Sequence, residues 1–272
     1  MNTLQNILCS STFLFLYSAS FGVNAQLSAI EVAEKVAHRA ANEGRVGNMH
    51  FTMSNDTGGI RKRSALMIHI EEQSDIKIGI YFTSPAAIQN TGFLSHDYVE
   101  GSDQNWLYLP VTDRVRKLPA SSRGDYFMGT DLTYGDIKDN FKFALDDWDF
   151  SLGEDKIIDE KRYFSLRGVI KDEQRKQELG YASFDSVIDP DTLFPVQIHY
   201  TDADNEPLKH TSILQQEKVG NAWTAIHFVV VNLQSAHKTE IVFTDMRYMA
   251  NLPKGLLSPD ELGYGTPIIL GL

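Results

Sequence analysis

Apolar and polar residues alternate with a period of two along most of the chain beyond Gly58 and Gly59. Alternation of this kind is typical of strands that are buried on one side. The pattern predicts strands at residues 61–71, 74–83, 105–109, 114–118, 161–170, 180–188, 194–201, 209–219, 222–232 and 239–248. Because turn-forming Asp, Asn, Gly and Pro residues separate many of them, the series predicts a large antiparallel sheet that meanders.

A helical period appears near the start of the chain, before the strands. Ser28 and Glu31 have the spacing of a capping box, and apolar residues then recur at helical spacing until Gly44. These apolar residues are Ile30, Val32, Ala33, Val36, Ala37, Ala40 and Ala41. One amphipathic helix is therefore predicted, and its apolar stripe is expected to cover one side of the sheet.

Two stretches follow neither period. Residues 119–139 are rich in Gly, Ser, Asp and aromatic side chains, which predicts a long loop with one short helix that begins at Thr133. Residues 252–272 contain three prolines and four glycines and are expected to form an irregular tail. No fixed-period repeat or proline-rich linker divides the chain, so residues 26–272 are expected to form a single domain.

The N-terminal residues 1–25 have the character of a cleavable signal peptide. An uncharged apolar run is followed by Val23-Asn24-Ala25, a cleavage pattern of small residues. Export to the periplasm is therefore expected. The chain's single cysteine, Cys9, lies inside this segment, so the mature protein would have no thiol for disulfides, thiolate catalysis or cysteine-ligated zinc.

Charge and motifs narrow the possible functions. The formal net charge is −11, and no basic stripe is present that could neutralise phosphates, so nucleic acid is not an expected partner. The sequence has no nucleophile elbow, HExxH motif, P-loop, dinucleotide fingerprint or complete EF-hand loop. Asp202, Asp204 and Glu206 have alternate spacing but lack the rest of a calcium loop, which favours a hairpin turn. No catalytic residue, metal ligand or cofactor is predicted, and the chain is not expected to be an enzyme.

One enzymatic alternative stays open. Asp146, Asp147 and Asp149 surround Trp148, and His199 and His210 are placed to face each other across a hairpin. A periplasmic hydrolase built on these residues would require convergent polar groups with strongly shifted pKa values in one cleft. A solvated turn and a structural histidine pair are the simpler interpretations.

Residues 101–139 carry the most informative side chains. A strand with Trp106 and Tyr108 precedes a basic cluster, and a loop with aromatic and methionine side chains follows. The basic cluster is Arg114, Arg116 and Lys117, and the loop contains Tyr126, Phe127 and Met128. Rings and a flexible thioether suit an acyl chain, and cations suit an anionic headgroup. The alternative is that the cations balance Asp113 and Asp125 while the aromatic residues close the core.

The same segment resembles a known family. WLYLP, followed by RVRKLPASSRGDYFMGTDLTYGDI, within residues 106–137, is similar to LolA-like outer-membrane lipoprotein-sorting proteins, which are often encoded beside exporters of the resistance-nodulation-division (RND) superfamily. The resemblance implies a mainly β fold with some α: a single curved antiparallel sheet, an incomplete barrel, with helices covering its open side. It also implies a concave apolar face that receives acyl chains. The chain is longer than the founding lipoprotein chaperone, so lipoprotein is one candidate cargo among several.

These observations predict a monomeric periplasmic carrier of lipid or lipoprotein acyl chains for transfer to the outer membrane. The ligand-binding residues are predicted to be Ile76, Ile78, Ile80, Phe82, Trp106, Tyr108, Val196, Ile198 and Tyr200, with Arg123, Tyr126, Phe127 and Met128 at the mouth and Arg114 and Arg116 as headgroup or partner contacts. An RND-type exporter or a lipoprotein-release machine is the expected membrane partner. The alternative is a non-catalytic adaptor of such an exporter, with an interior filled by its own side chains. A cavity of several hundred cubic ångströms would favour the carrier.

Overall fold

A computed structural model describes residues 27–72, 75–98, 101–137, 141–253 and 255–268. The predicted signal peptide at residues 1–25 lies outside the described residues. Fourteen strands are formed by the described parts of the chain. They are β1 (Gly44–Ser54), β2 (Ile60–Glu72), β3 (Asp75–Ser84), β4 (Gly92–Asp97), β5 (Gln104–Leu109), β6 (Arg114–Leu118), β7 (Trp148–Leu152), β8 (Lys156–Ile158), β9 (Lys161–Ile170), β10 (Ser183–Ile188), β11 (Pro195–Thr201), β12 (Pro207–Val219), β13 (Ala222–Asn232) and β14 (His237–Tyr248).

All strands pair antiparallel in one sheet. Their spatial order is β6-β5-β4-β3-β2-β1-β14-β13-β12-β11-β10-β9-β7, and β8 pairs with β9 beside this path. β6 and β7 are the two edges. Strands β3 and β13 are separated by three others, yet Ile80 and Phe228 belong to the same core cluster. The sheet therefore curves around a common interior without closing, and the predicted fold class is confirmed.

Three α-helices accompany the sheet in the described residues: α1 (Ala29–Ala37), α2 (Glu173–Leu179) and α3 (Pro259–Leu262). The predicted capping box of α1 is present, because the Glu31 carboxylate accepts from the Ser28 N–H at 2.7 Å and the Ser28 hydroxyl accepts from the Glu31 N–H at 3.4 Å. The helix ends at Ala37 rather than near Gly44. Just beyond it, the Arg39 guanidinium donates to the Phe141 carbonyl at 3.2 Å. No described helix is long and apolar enough to span a bilayer.

The concave face of the sheet forms two adjoining cores. One contains the inward residues of the strands from β1 to β4 and of β13 and β14. The other lies where α1 buries Val32, Ala33 and Val36 against the strands β7 and β9–β11. Successive side chains of a strand point to opposite faces of the sheet, so every second residue of each strand lies on the same face.

The convex face of the N-terminal half of the sheet is covered by the C-terminal segment. Leu257 and the α3 residue Leu262 pack against Leu66, Ile68 and other residues of β1–β5. A Cβ on Gly92 would lie 2.6 Å from the Leu262 side chain, so a larger residue at this crossing would displace Leu262. The predicted irregular tail is therefore, over its described residues, a packed cover with a short helix.

Several elements were missed because their pattern is not periodic. All but the last residue of β4 are buried, so neither face stands out in the sequence. In β1, residues 44–47 are buried on both faces and show no alternation. The alternation begins only with the inward-facing Met49, Phe51 and Met53. The predicted helix at Thr133 is wrong. Instead, the Asp136 carboxylate accepts from the Thr133 N–H at 2.7 Å, which closes a turn, and Thr133 bridges to Tyr126.

We expect Leu262→Ala to lower the free energy of unfolding by about 2–5 kcal/mol, because a fully buried leucine leaves a cavity when truncated. Chemical denaturation is the measurement. The matched control is Leu214→Ala on β12, where the side chain is exposed and the change should stay within about 0.5 kcal/mol. Equal effects of the two substitutions would contradict a structural role for the C-terminal cover.

Candidate functional site

The concave face is covered by a segment of the chain itself, residues 123–137, which we call the plug. Phe127 of the plug is fully buried, with its ring centroid 5.3 Å from that of Phe93 and 6.1 Å from that of Phe82. Tyr134 lies 5.3 Å from Phe93 on the same side. Stacked, tilted and edge contacts of this kind stabilise aromatic pairs beyond the area they bury. The plug therefore completes the core of the sheet with its own aromatic side chains.

A buried carboxylate anchors the plug to β14. Asp131 is only 3% exposed, and its Oδ2 accepts from the Thr239 hydroxyl at 2.6 Å. The same oxygen lies 2.7 Å from His237 Nδ1. Thr239 Oγ1 also accepts from the Asp131 N–H at 2.9 Å. Hydrogen bonds to a charged group are among the strong ones, so Asp131 fixes the position of the plug on this strand.

A buried cation anchors the plug to β12. Lys209 is 1% exposed, and its Nζ donates to Asp136 at 2.5 Å and to the Asp131 carbonyl at 3.0 Å. Its ammonium also lies 5.0 Å from the Tyr181 ring centroid and 5.5 Å from that of Tyr200. Tyr181 donates to Asp136 at 3.0 Å, and burial raises the pKa of the Tyr181 phenol well above 10. The plug thus neutralises a lysine that would otherwise be buried alone.

Two further contacts tie the plug to both halves of the sheet. Arg63 of β2 donates to the Met128 carbonyl, and the Asn232 amide of β13 donates to the Tyr126 hydroxyl at 2.6 Å. Met128 has a backbone φ of 49°, in the left-handed region that a methionine seldom adopts. The tip of the plug is therefore held in a strained conformation by contacts on either side of it.

The space left between the plug and the sheet is small. A cavity of about 60 Å³ is lined by Arg45, Met49, Met67, Ile78, Ile80, Leu132, Asp136, Ile137, Phe141, Thr224, Ala225, Phe228 and Phe243. A volume of this size holds a few water molecules but not a long acyl chain. In this conformation the interior is filled by the protein's own side chains.

The interior residues predicted from the sequence fall into two groups. Ile76, Ile78, Ile80 and Phe82 lie on the concave face of β3, and the middle two line the cavity. On β11, Ile198 and Tyr200 pack in the core beneath α1, and the half-buried Val196 shares their side of the strand. Trp106 and Tyr108 lie on the opposite, convex face, among the residues covered by the C-terminal segment.

The predicted mouth residues Arg123, Tyr126, Phe127 and Met128 all lie in the plug, whereas the predicted headgroup or partner contacts lie on β6. Arg114 and Arg116 are exposed on the edge strand β6. Arg123 is buried and forms an ion pair with Asp103 at 2.8 Å. Tyr126, Phe127 and Met128 belong to the plug. Phe127 is fully buried and closes the interior, whereas Tyr126 is 44% exposed.

Several residues that line the cavity were not predicted from the sequence. Met49 carries a usable signal, because it alternates with Phe51 and Met53 along β1. Phe141 carries none, because it lies outside any strand or helix and reaches the cavity only through the fold of the chain. Arg45 begins the inward face of β1 and is the cavity's cation, 6% exposed.

The residues of the hydrolase alternative do not converge. Asp147 forms an ion pair with Arg175 at 2.9 Å, and His199 pairs with His210 across β11 and β12, with ring centroids 5.6 Å apart. Asp202 accepts the backbone N–H groups of Asp204 and Glu206, each at 2.9 Å, which confirms the predicted hairpin turn. Among the described residues, no group of three or more His, Cys, Asp or Glu side chains could hold a metal ion.

Comparison with known proteins places the fold. A family model described as "-like: Uncharacterized protein" matches residues 74–263, more than half of the chain. A DUF1329 family protein from Desulfovibrio piger superposes with a TM-score of 0.78 at 22% identity, over 86% of this chain and 97% of that one. A "putative outer membrane lipoprotein-sorting protein domain" from Vibrio parahaemolyticus gives the same values. The chain belongs to the family of this model and has a LolA-like fold.

A third LolA-like structure agrees with this assignment. A LolA superfamily protein from Nitrosomonas europaea superposes with a TM-score of 0.67 at 15% identity, over 87% of this chain and all of that one. No curated protein sequence matches the chain significantly. At these identities the solved structures establish a shared LolA-like fold. The function of this LolA-like chain has to be argued from its own residues.

The buried His69, which lies beside Arg45, should make the free energy of unfolding depend on pH. His69 faces Arg45 across β1 and β2, and burial together with the positive Arg45 and Lys142 holds its pKa well below 6.5. Below about pH 6.5 the unfolded chain binds a proton at His69 that the folded chain does not, so this contribution to stability is lost as the pH falls.

We therefore expect the free energy of unfolding to fall less for His69→Gln than for the wild type when the pH is lowered from about 7 to about 5. Chemical denaturation at each pH is the measurement. The matched control is His50→Gln, an exposed histidine on the adjacent strand β1. A slope of stability against pH that is the same for His69→Gln and the wild type would show that His69 does not carry this dependence.

Proposed function

We propose that this LolA-like protein is a periplasmic carrier that binds the acyl chains of a lipid or lipoprotein between the concave face of its sheet and a displaced plug. The observation that carries the proposal is the plug itself. It covers an apolar face with Phe127, Leu132 and Tyr134, yet much of its attachment consists of hydrogen bonds and ion pairs rather than strand pairing. Apolar side chains on a segment attached in this way can be exchanged for a ligand of similar character.

The energetics of this exchange are favourable in principle. Each CH₂ group of an acyl chain gains about 0.8 kcal/mol on transfer from water to an apolar site, so a chain of about twelve carbons gains roughly 10 kcal/mol. Opening the plug costs the exposure of Phe127 and the separation of Lys209 from Asp136. Loss of one partner of a buried ion pair typically costs about 3–5 kcal/mol. The cavity of about 60 Å³ would then be the remnant of the binding space in the closed state.

The location and partners follow from the sequence and the fold together. The signal peptide predicted at residues 1–25 supports a periplasmic location, and the outer-membrane lipoprotein-sorting fold supports delivery to the outer membrane. Because the sequence has no nucleotide-binding motif, directional transfer needs a membrane partner. An RND-type exporter or a lipoprotein-release machine is the partner that the family resemblance suggests.

A second candidate function is a non-catalytic adaptor of such an exporter. The filled interior favours it, because an adaptor needs no ligand space and the cavity falls well below the several hundred cubic ångströms of common ligand sites. The exposed cations of the edge strand β6, which include Arg114 and Arg116, would then contact the partner. The two functions differ in whether the plug opens.

The test is the uptake of cis-parinaric acid, a fatty acid whose fluorescence rises in an apolar site. We expect Asp131→Asn to accelerate uptake about tenfold or more, because the substitution weakens the anchor to Thr239 and His237 and makes opening easier. The matched control is Asp125→Asn, which removes an exposed carboxylate from the same segment and should leave the rate unchanged.

The carrier and the adaptor give opposite results. Uptake by the wild type with one fatty acid bound per chain, accelerated only by Asp131→Asn, supports the carrier. Absence of uptake by the wild type and by Asp131→Asn, with both proteins folded by circular dichroism, would reject the carrier in favour of the adaptor.

A further inference from the structure

Two histidines lie side by side on the convex face of the sheet. His199 of β11 and His210 of β12 are directly opposite each other in the antiparallel register. Side chains in such positions leave the sheet on the same face, with Cβ atoms about 4.5–5.5 Å apart. Their neighbours in sequence, Ile198 and Lys209, are buried on the concave side, so both imidazoles point outward.

The histidine pair is accessible from outside the protein. His199 is exposed and His210 is half-buried. The C-terminal cover packs on β1–β5, in the other half of the sheet. A groove of about 490 Å³ lies beside His199 and is lined by Lys156, Ile157, Ile158, Ser165, Asp185, Ser186, Val187, Gln197 and His199. An ion can therefore reach the two rings without any opening of the interior.

The ring nitrogens of His199 and His210 have no hydrogen-bond partner among the described residues. Most other histidines of the chain do have one. Five of the remaining six place a ring nitrogen 2.7–3.1 Å from an oxygen atom, and these are His38, His50, His96, His227 and His237. The sixth, His69, is buried. The pair on β11 and β12 therefore combines accessible imidazoles with nitrogens that are free to bind a ligand.

The separation of the two rings fits a shared metal ion. Their centroids lie 5.6 Å apart, with 34° between the ring planes. With metal–nitrogen bonds of about 2.0–2.1 Å and a nearly tetrahedral angle between them, two liganding imidazoles have centroids about 5–6 Å apart. Rotation about the side-chain bonds of His199 and His210 is then enough to direct one nitrogen of each ring to a common point.

The protonation of His210 also suits a metal ligand. Burial lowers the pKa of His210 below 6.5, and the charge that His199 carries when protonated lowers it further. Metal binding requires the neutral imidazole, because the bond uses the lone pair of the nitrogen. At neutral pH, His210 is therefore already in the form that binds a metal ion.

The charged side chains around the pair leave it open to a cation. Asp185 of β10 is the cross-strand neighbour of His199, and Arg167 of β9 donates to its carboxylate at 2.6 Å, so this ion pair has no net charge. Lys238 is separated from His210 by a whole strand, β13. Lys156 lines the groove beside His199 but is exposed, so water and salt screen its charge.

We propose that His199 and His210 form a surface site for a divalent transition-metal ion that prefers nitrogen ligands, such as Zn²⁺. Each imidazole supplies one nitrogen, and water molecules complete the coordination. Imidazole ligands favour Zn²⁺, Ni²⁺ and Cu²⁺ over Mg²⁺ and Ca²⁺, which prefer oxygen. The site lies on the face of the sheet opposite the plug, so it does not depend on the proposed carrier function.

The test is isothermal titration calorimetry of Zn²⁺ into the full mature protein, prepared without a histidine tag and in a buffer that does not bind the metal. The variants are His199→Asn and His210→Asn, and circular dichroism checks that both are folded. The matched control is His50→Asn, which removes an exposed histidine from the convex face of β1. A second titration in a large excess of Ca²⁺ distinguishes nitrogen ligands from carboxylates.

We expect one Zn²⁺ per chain, with the affinity lowered about tenfold or more by either variant, because each removes one of the two protein ligands. His50→Asn and excess Ca²⁺ should leave the affinity unchanged. Zn²⁺ should also raise the denaturation midpoint of the wild type but not of the two variants, because an ion that binds only the folded chain stabilises it. Binding that survives both substitutions, or that Ca²⁺ displaces, would overturn the site, and so would the absence of Zn²⁺ binding by the wild type.

Discussion

Coverage of the apolar concave face is the constraint on which the rest of this structure depends. An open sheet of this length buries one face only if something lies across it, and here the chain supplies both α1 and the plug. Phe127 fills the space beside Phe82 and Phe93 that a continuous sheet cannot fill. The position of the plug then decides whether the interior is a closed core or a binding space.

The attachment of the plug combines two kinds of interaction with different consequences. Its aromatic contacts are non-directional and could be replaced by any apolar group of similar size. The ion pair between Lys209 and Asp136 and the hydrogen bonds of Asp131 are directional and desolvated. Because such groups are costly when left unpaired, intermediate positions of the plug are disfavoured. The proposed opening of the plug would therefore pass through few intermediate states.

The interior is also chemically asymmetric along the strands. Apolar and aromatic side chains crowd the end near Phe82, whereas cations and unpartnered polar atoms collect at the end near Arg45. The buried Arg39 and Arg45 come from a chain whose net charge is −11, so the fold and not the composition places them there.

The sequence by itself determined the mainly β architecture, the capping box of α1 and the shared face of Ile76, Ile78, Ile80 and Phe82, because these depend on local spacing and alternation. The curvature of the sheet was implied only by the family resemblance of residues 106–137. The sequence could not reveal β4, whose residues are buried on both faces, nor the packed C-terminal cover, whose leucines show no period. Only the tertiary structure decided that Phe127 and Met128 close the interior and that Trp106 and Tyr108 face away from it. Those outcomes depend on how distant strands curve toward each other, and no local pattern records that distance.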